Sequence, residues 1–492
     1  MATYYVNAAT GNDTTGDGSE GTPWASLNPV NGAGFTWSGD DTVYVNGDVV
    51  CNARFDIDNN ITILKDPTAS GRPTITLLAA GAGASGITWA AGKTLTATDV
   101  IFNGLASTSA ALRIDSTFKA GQITLTRVGI KFAVFGIYSV SGALLGMTDC
   151  DMQDGGASTG AGLYIYNSAD GDSIVVDGLD LTMTGAIAAN RGGVIIEGNH
   201  ANTEADIAGV TGTIVSSTNS GYCNGVLLID IGTAKIHGCN LDLTTHASAS
   251  GSLYTIANPN ITAVAAPAIY DNLGRCNSPA GIILGIGHDT YGAGPDAGLI
   301  YNNDVRGPAA PTSLHGIMAR DGDDIEVWNN RVRYAVIGYI HKDTVRGVQS
   351  HNVSEFLTGT AAHHLKGAAD CVVTGNTYII SSASSPRFLY VQSDALVHST
   401  GCIFAGNAVY IYPGQTVPDD LVEVVDVNQT INFYGNNYYS KTTAFGSNWN
   451  DEGTSRTLAE WDAQSHVFGD HSFSFVPRFM GRMDHRIMKV VK

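Results

Sequence analysis

Four segments in the second half of this 492-residue chain bring polar residues to matching places: GIMAR (316–320), GYIHK (338–342), AHHLK (362–366) and LYVQ (389–392). Read as β-strands in successive layers, they alternate. Ile317, Ala319, Tyr339, His341, His363, Leu365, Leu389 and Val391 point inward. Met318, Ile340, His364 and Tyr390 form one outward column, and Arg320, Lys342, Lys366 and Gln392 form another beside it. Layers ~4.8 Å apart would set three cations in a row. Such a row is costly without an anionic partner, and it pushes the central lysine toward its neutral form. A lysine so shifted is a general base near neutral pH. Removing the C5 proton of a uronate needs cations on the carboxylate, a base, and an acid for the leaving oxygen. Lys342 fits the base, Arg320 and Lys366 the neutralising cations, His364 or Tyr390 the acid, and Gln392 a binding group. The plainer reading pairs Arg320 and Lys342 with Asp321 and Asp343, which directly follow them.

The same region holds a dense acidic patch, Asp321, Asp323, Asp324, Glu326 and Asp343. Carboxyls on adjacent layers would approach the separation of ~5 Å at which retaining glycosidases work, which opens a hydrolytic alternative. Trp328 and Tyr301 share another outward column and are candidates for stacking on sugar rings. His341 and His363 read as core histidines satisfied by backbone. His363 and His364, adjacent on a strand, point to opposite sides and do not share a metal ion.

These columns require layers of constant length. Asn303, Asn330, Asn352, Asn376, Asn407 and Asn436 supply them, closing the runs GLIYNN, IEVWNN, GVQSHN, CVVTGN, CIFAGN and INFYGN at intervals of 27, 22, 24, 31 and 29 residues. Repeats of this length are coils of a solenoid, in which each coil buries its apolar face against the next. Asparagine tolerates left-handed backbone at a tight turn, and stacked side-chain amides bond along a column. The expected fold is all-β, a single-domain right-handed parallel β-helix. Residues 1–40 would cap it, 41–445 would form the coils, and 446–492 would close it with one short helix. Residues 247–275 and 286–297 read as loop insertions.

Composition agrees. Glycine is abundant at 59 residues, 43% of the chain is hydrophobic and only 14% is charged, a profile of many short strands and tight turns. The net charge of −19 disfavours nucleic acid and anionic membranes as partners. No apolar run reaches the ~18 residues of a membrane span. The seven cysteines include no C-x-x-C pair and imply neither zinc nor a disulfide framework. Cys371 and Cys402 read as small buried hydrophobes in one inward column. The basic residues Arg478, Arg482, Arg486, Lys489 and Lys492 read as a solvated tail.

The opening YYVNAATGNDTTGDGSEGTPWASL, with GDDTVYVNGDV after it, resembles the start of right-handed β-helix proteins of the pectate-lyase-like superfamily. The closing AEWDAQSHVFGDHSFSFVPRFM resembles their C-terminal segment. That superfamily holds polysaccharide lyases, glycoside hydrolases, epimerases and phage tailspikes, so the resemblance bears on fold more than on function. It implies Ca²⁺ held by carboxylates from adjacent coils, with Asp321, Asp323, Asp324 and Asp343 as the matching set. GHD at 287–289 is similar to the G-H-G of the polygalacturonase-like hydrolases, but their other motifs do not precede it. The leading expectation is a secreted or virion-associated enzyme that cleaves an acidic polysaccharide by β-elimination. A glycoside hydrolase with an Asp/Glu pair and a tailspike-like polysaccharide-binding protein are the alternatives. A monomer is expected, or a homotrimer for a tailspike.

Overall fold

The computed structural model describes residues 1–473 apart from 32–34, 53–54, 79–85, 90–91, 107–109, 115–121, 140–142, 157–159, 167–170, 218–220, 259, 261–264, 288–296, 356, 358, 381–386, 395–398, 412–419, 426–430, 441–448, 452–453, 458–459 and 461–466. All its described elements are β-strands except a 3-10 turn at Pro29–Asn31. The strands stack in parallel register, the β-helix that the resemblance implied. The single antiparallel pairing among the described strands joins Trp449–Asp451 to Thr454–Arg456. Backbone contacts divide the chain into two compact units, Met1–Ala268 with Asn272–Ser278, and Ile269–Asp271 with Pro279–Lys492.

In the first unit, alternation builds the core. Asp41–Asn46 buries Val43 and Val45 and turns Thr42 and Tyr44 outward. Val43, Ile63, Ala97, Leu125, Met147, Val176 and Ile207 follow one another as register partners. All seven are buried, so each coil lends an apolar residue to a continuous interior. At the N-terminus Thr3–Asn7 pairs with Asp41–Asn46. The Gly/Asp/Thr loop behind it is held by side chains, for Asp13 Oδ1 accepts from the backbone amides of Ala25 and Ser26, and Trp24 stacks on Tyr4.

The expected loop at 247–275 contains three strands, Ser250–Ala257, Ala268–Tyr270 and Leu273–Asn277. Ser250–Ala257 is buried on both faces, so it has no apolar–polar alternation to reveal it. Residues 288–296 of the second insertion, including His288 and Asp289, lie outside the described residues. So do the expected C-terminal helix and the five basic residues at the end. Val467–Phe473 adds a parallel strand to Ile431–Ser440.

In the second unit each coil contributes three strands. One coil runs Ile325–Trp328, Arg331–Arg333, Ile337–Lys342; the next runs Val348–Ser350, Val353–Glu355, Ala361–Lys366. The asparagines sit at the corner after the first strand and are 0–1% exposed. Asn330 gives both its main-chain N–H and its Nδ2 to Oδ1 of Asn352, at 2.9 and 2.9 Å. Asn352 repeats this to Asn376 at 2.9 and 2.9 Å, and Asn376 to Asn407 at 3.0 and 3.0 Å. The other Nδ2 hydrogen reaches back a coil, from Asn352 to the Val327 carbonyl at 2.9 Å. Each amide thus ties three coils together.

The asparagine does not itself take the left-handed backbone. That falls to the residue before it: Asn302, Asn329, His351, Gly375, Gly406 and Gly435 have φ between 53° and 63°. The first unit fills the same corner mostly without the amide. Val100, Val128, Cys150, Leu179, Val210 and Cys239 are buried there, each after a positive-φ residue, Asp99, Arg127, Asp149, Gly178, Gly209 and Gly238. Asn272, after Asp271 at φ 54°, is an exception, its Oδ1 accepting from the Cys239 N–H at 2.9 Å and its Nδ2 giving to the Ile236 carbonyl at 3.0 Å.

Replacing Asn352 by Ala strands two donors of Asn330 and the Val327 carbonyl in the interior, and should cost about 2–4 kcal/mol in equilibrium denaturation. Asn352→Val should be no milder, although valine fills this corner in the first unit, because the stranded donors belong to Asn330. A valine variant as stable as wild type would show that the corner, rather than the amide column, carries the stability.

Candidate functional site

The outward face of the third strand in each coil carries the charge. Arg320 is the register partner of Lys342, Lys342 of Lys366, and Lys366 of Gln392. The three cations therefore stand side by side on consecutive coils at the ends of Ser313–Arg320, Ile337–Lys342 and Ala361–Lys366. A left-handed residue follows each: Asp321 at φ 51°, Asp343 at 50° and Gly367 at 64°. Aspartate is one of the few non-glycine residues that takes this conformation at low cost. The turn thus explains why two carboxylates follow two cations, and it sets them beside the column.

The residue that organises the cluster is Asp394, two positions beyond Gln392. Its Oδ1 lies 3.3 Å from Lys366 Nζ and its Oδ2 3.8 Å from Lys342 Nζ. Asp394 also shares a hydrogen bond with Asp343. Arg320 pairs with Asp321, Nε to Oδ2 2.8 Å. Three cations therefore face three carboxylates, all part-buried. Asp394 supplies the anion that the bare column lacked, so the unopposed repulsion on which a neutral Lys342 rested is absent.

The group that titrates near neutrality is Asp343. Burial, the hydrogen bond and charge of Asp394, and the charge of Asp321 push its carboxyl up to about 6, against the pull of Lys342. Burial also acts to raise Asp394, but the hydrogen bonds from Asp343 and Lys366 and the charges of Lys366 and Lys342 outweigh it and hold that carboxyl below its usual range. The two carboxyls are driven apart and share one proton, the pattern of an acid–base pair.

The neighbouring column departs from expectation. Met318, Ile340 and His364 are 0%, 5% and 7% exposed, and Met318 and Ile340 pack with Ile282, Val336 and Ile337. His364 lies against the Tyr390 ring at 4.9 Å. Burial, with the nearby charges of His315 and Lys366, brings it down to about 3, so it is neutral near pH 7 and has no imidazolium proton to give. Tyr390 is half-buried with the Arg387 guanidinium 5.0 Å above its ring. Gln392 is half-buried. His341 and His363 are core residues as expected, but His363 meets the Tyr378 hydroxyl at 3.4 Å rather than backbone.

Trp328 and Tyr301 do share a column, stacked at 4.5 Å and 4° with Tyr270 continuing at 4.9 Å and 5°. Tyr301, between the other two, has both faces covered, and Trp328 has one, which leaves little flat surface for a sugar ring. The four aspartates expected to hold Ca²⁺ are not brought together. Arg346 binds Asp323 at 3.2 Å and Asp324 at 2.8 Å, Asp321 holds Arg320, and Asp343 holds Asp394. Among the described residues no group of three or more His, Cys, Asp or Glu side chains is placed to hold a metal ion, so this set does not fit calcium. Asp394 had one trace in the sequence, a lone carboxylate just past the strand end in LYVQSD, where the other coils carry theirs one residue sooner.

No family model matches the chain, and no curated protein matches it. Among solved structures, the chain is similar to the GH136 lacto-N-biosidase from Eubacterium ramulus. In its selenomethionine derivative the identity is 14% and the TM-score 0.31, over 89% of this chain and 68% of that one. In the native protein they are 12% and 0.28, over 86% and 65%. It is also similar to a mannuronic acid specific polysaccharide family 6 lyase from human gut microbiota, at 11% identity and TM-score 0.31, over 100% of this chain and 95% of that one.

The Asp343 carboxyl binds its proton more tightly in the folded chain than in the unfolded one. Its contribution to stability is complete below about pH 4 and is lost as the pH rises through about 6. Asparagine keeps the left-handed turn and cannot ionise. Asp343→Asn should therefore gain in melting temperature over wild type as pH rises from about 4 to 7, with the gain level above that. A constant difference across this range would remove the shared proton.

Proposed function

We propose that this face acts on an acidic polysaccharide and cleaves it by β-elimination. The observation that supports the reading is the in-register row of Arg320, Lys342 and Lys366 around the Asp343–Asp394 pair. A uronate carboxylate set against the row meets the cations it needs, and its α-proton becomes more acidic as they draw off charge. Asp343, ionised above about pH 6, takes the C5 proton in place of Lys342. Asp343 then passes that proton to the leaving oxygen as the C4–O bond breaks, while the lysines and Arg320 neutralise the carboxylate.

The hydrolytic reading has one observation in its favour, the opposed shifts of Asp343 and Asp394. The geometry weighs against it. Retaining and inverting glycosidases keep their carboxyls about 5 Å or more apart so that a sugar or water fits between. Asp343 and Asp394 act on one another directly, which favours a single proton acceptor over two carboxyls held apart.

Incubation with polygalacturonate, oligomannuronate and neutral glucans, followed by ultraviolet absorbance and by reducing-end assay, separates the readings. Elimination yields both the conjugated uronate and new reducing ends; hydrolysis yields reducing ends alone. The pH profile differs in sign. With Asp343 as base, kcat/KM climbs as pH rises through about 6; with Asp343 as acid it falls across the same range. Asp343→Asn should lower turnover by roughly 10²–10⁴ and remove that limb. Lys366→Ala should chiefly raise KM and steepen the salt dependence of what remains. Binding of acidic polymer without new reducing ends would make the face a receptor-binding surface and end the enzymatic reading.

A further inference from the structure

A second outer face, wholly within the first unit, gathers groups that the charged face does not use. Tyr138 is the register partner of Tyr164 on the next coil. The two rings stack at 5.7 Å and 28°. Phe135 joins them, 5.8 Å and 20° from Tyr164, and Tyr166 stacks at 6.3 Å and 20° on the other side. Tyr166 is 40% exposed and Tyr164 only 6%, and Phe135 and Tyr138 are half-buried, so Tyr166, Tyr138 and Phe135 carry the open ring area while Tyr164 contributes its hydroxyl. The Arg191 guanidinium lies on the Tyr164 ring, 4.1 Å from its centroid. The Tyr164 hydroxyl reaches Glu197 Oε1 at 3.3 Å.

We propose that Arg191, Glu197, Tyr164 and Tyr166, with Phe135 and Tyr138 beside them, bind a neutral saccharide. Aromatic side chains on a solvent-facing sheet offer apolar area to the C–H faces of a pyranose, with polar rims for its hydroxyls. A guanidinium stacked on a ring uses its face there and keeps its in-plane N–H fork for neighbouring oxygens. Glu197 adds acceptors, so vicinal hydroxyls meet donors and acceptors together. Charge decides the ligand class. Arg191 and Glu197 balance each other, and a ligand carboxylate would have to displace Glu197 to reach the arginine. The one arginine here is already matched by Glu197, and Asp230 nearby adds negative charge, so nothing on this face attracts an acid. Burial acts most strongly on both polar partners, raising Glu197 despite the opposing charge of Arg191 and pushing Tyr164 up to about 12. The Tyr164 hydroxyl therefore stays protonated and donates to Glu197. The inference does not depend on whether the charged face cleaves anything.

The test is affinity electrophoresis of the full chain in native gels containing amylopectin, galactomannan, mixed-linkage β-glucan or polygalacturonate. At least one neutral polymer should retard the protein, and about 0.5 M salt should leave the retardation unchanged, since no ion pair with ligand is involved. Arg191→Gln and Tyr166→Ala should each weaken the binding about tenfold, with melting temperatures close to wild type as the folding control. Arg191→Lys should fail to restore it, because an ammonium has no planar fork. Asp343→Asn should bind the neutral polymer as wild type does, which keeps this result separate from the fate of the charged face. Retardation by polygalacturonate alone, by no polymer, or by a neutral polymer that still holds the Arg191→Gln and Tyr166→Ala variants would each overturn the proposal.

Discussion

Parallel stacking in register sets every side chain ~4.8 Å from its counterpart in the next coil. At that distance like meets like, and the chemistry of the side chain decides whether the meeting stabilises or costs. An amide carries donor and acceptor together, so a column of asparagines satisfies itself. In the second unit Asn303 through Asn436 do this, and each also closes a backbone carbonyl of the coil behind, as Asn330 does for Ile300 at 2.8 Å. Flat rings gain in the same way, as Tyr270, Tyr301 and Trp328 show with their nearly parallel stack. Valine and leucine at the corners of the first unit need only contact, while Cys150 and Cys239 point their thiols at the Leu125 and Ile207 carbonyls of the coil behind.

Cations are the case in which identical positions oppose each other. Arg320, Lys342 and Lys366 stand as close as the asparagines do, but two like charges cannot satisfy one another. The fold answers with carboxylates from the turns. Asp321 and Asp343 are at the corner because the backbone there is left-handed, and Asp394 enters from beyond a strand end to lie between the two lysines. Crowding three carboxyls among three cations leaves one proton shared between Asp343 and Asp394. A group that began as turn chemistry thereby becomes the titratable centre of the site.

The two units use their outer faces differently. The charged face sets three cations among three carboxylates, whereas the aromatic face around Tyr164 offers rings and hydrogen bonds. Both arise from the same architecture. A core of interchangeable apolar residues leaves the outward columns free to vary, and the rigid register fixes where each variation lands.

Spacing alone carried much of the fold. The interval between asparagines set the coil length, strand alternation set the facing of Arg320, Lys342, Lys366 and Gln392, and both follow from local periods that a sequence expresses directly. Strands buried on both faces escaped, as Ser250–Ala257 did, because burial on two sides erases the period. What lies over an outward column was also invisible. Met318 and His364 alternate as surface residues do, yet both are buried. The corner residue was misassigned by one position, since the left-handed turn belongs to Asn329 and His351 while Asn330 and Asn352 face inward. The stacking that covers both faces of Tyr301 and one of Trp328 needs ring planes, which no spacing conveys. Above all, the pairing of Asp394 with Lys342, Lys366 and Asp343 joins residues up to 52 positions apart through a turn of irregular length. Side-chain reach and shared protons belong to three dimensions. The sequence determined which residue types stand in each column; tertiary structure decided which of them are covered, paired or protonated, because those depend on distances between atoms that periodicity does not specify.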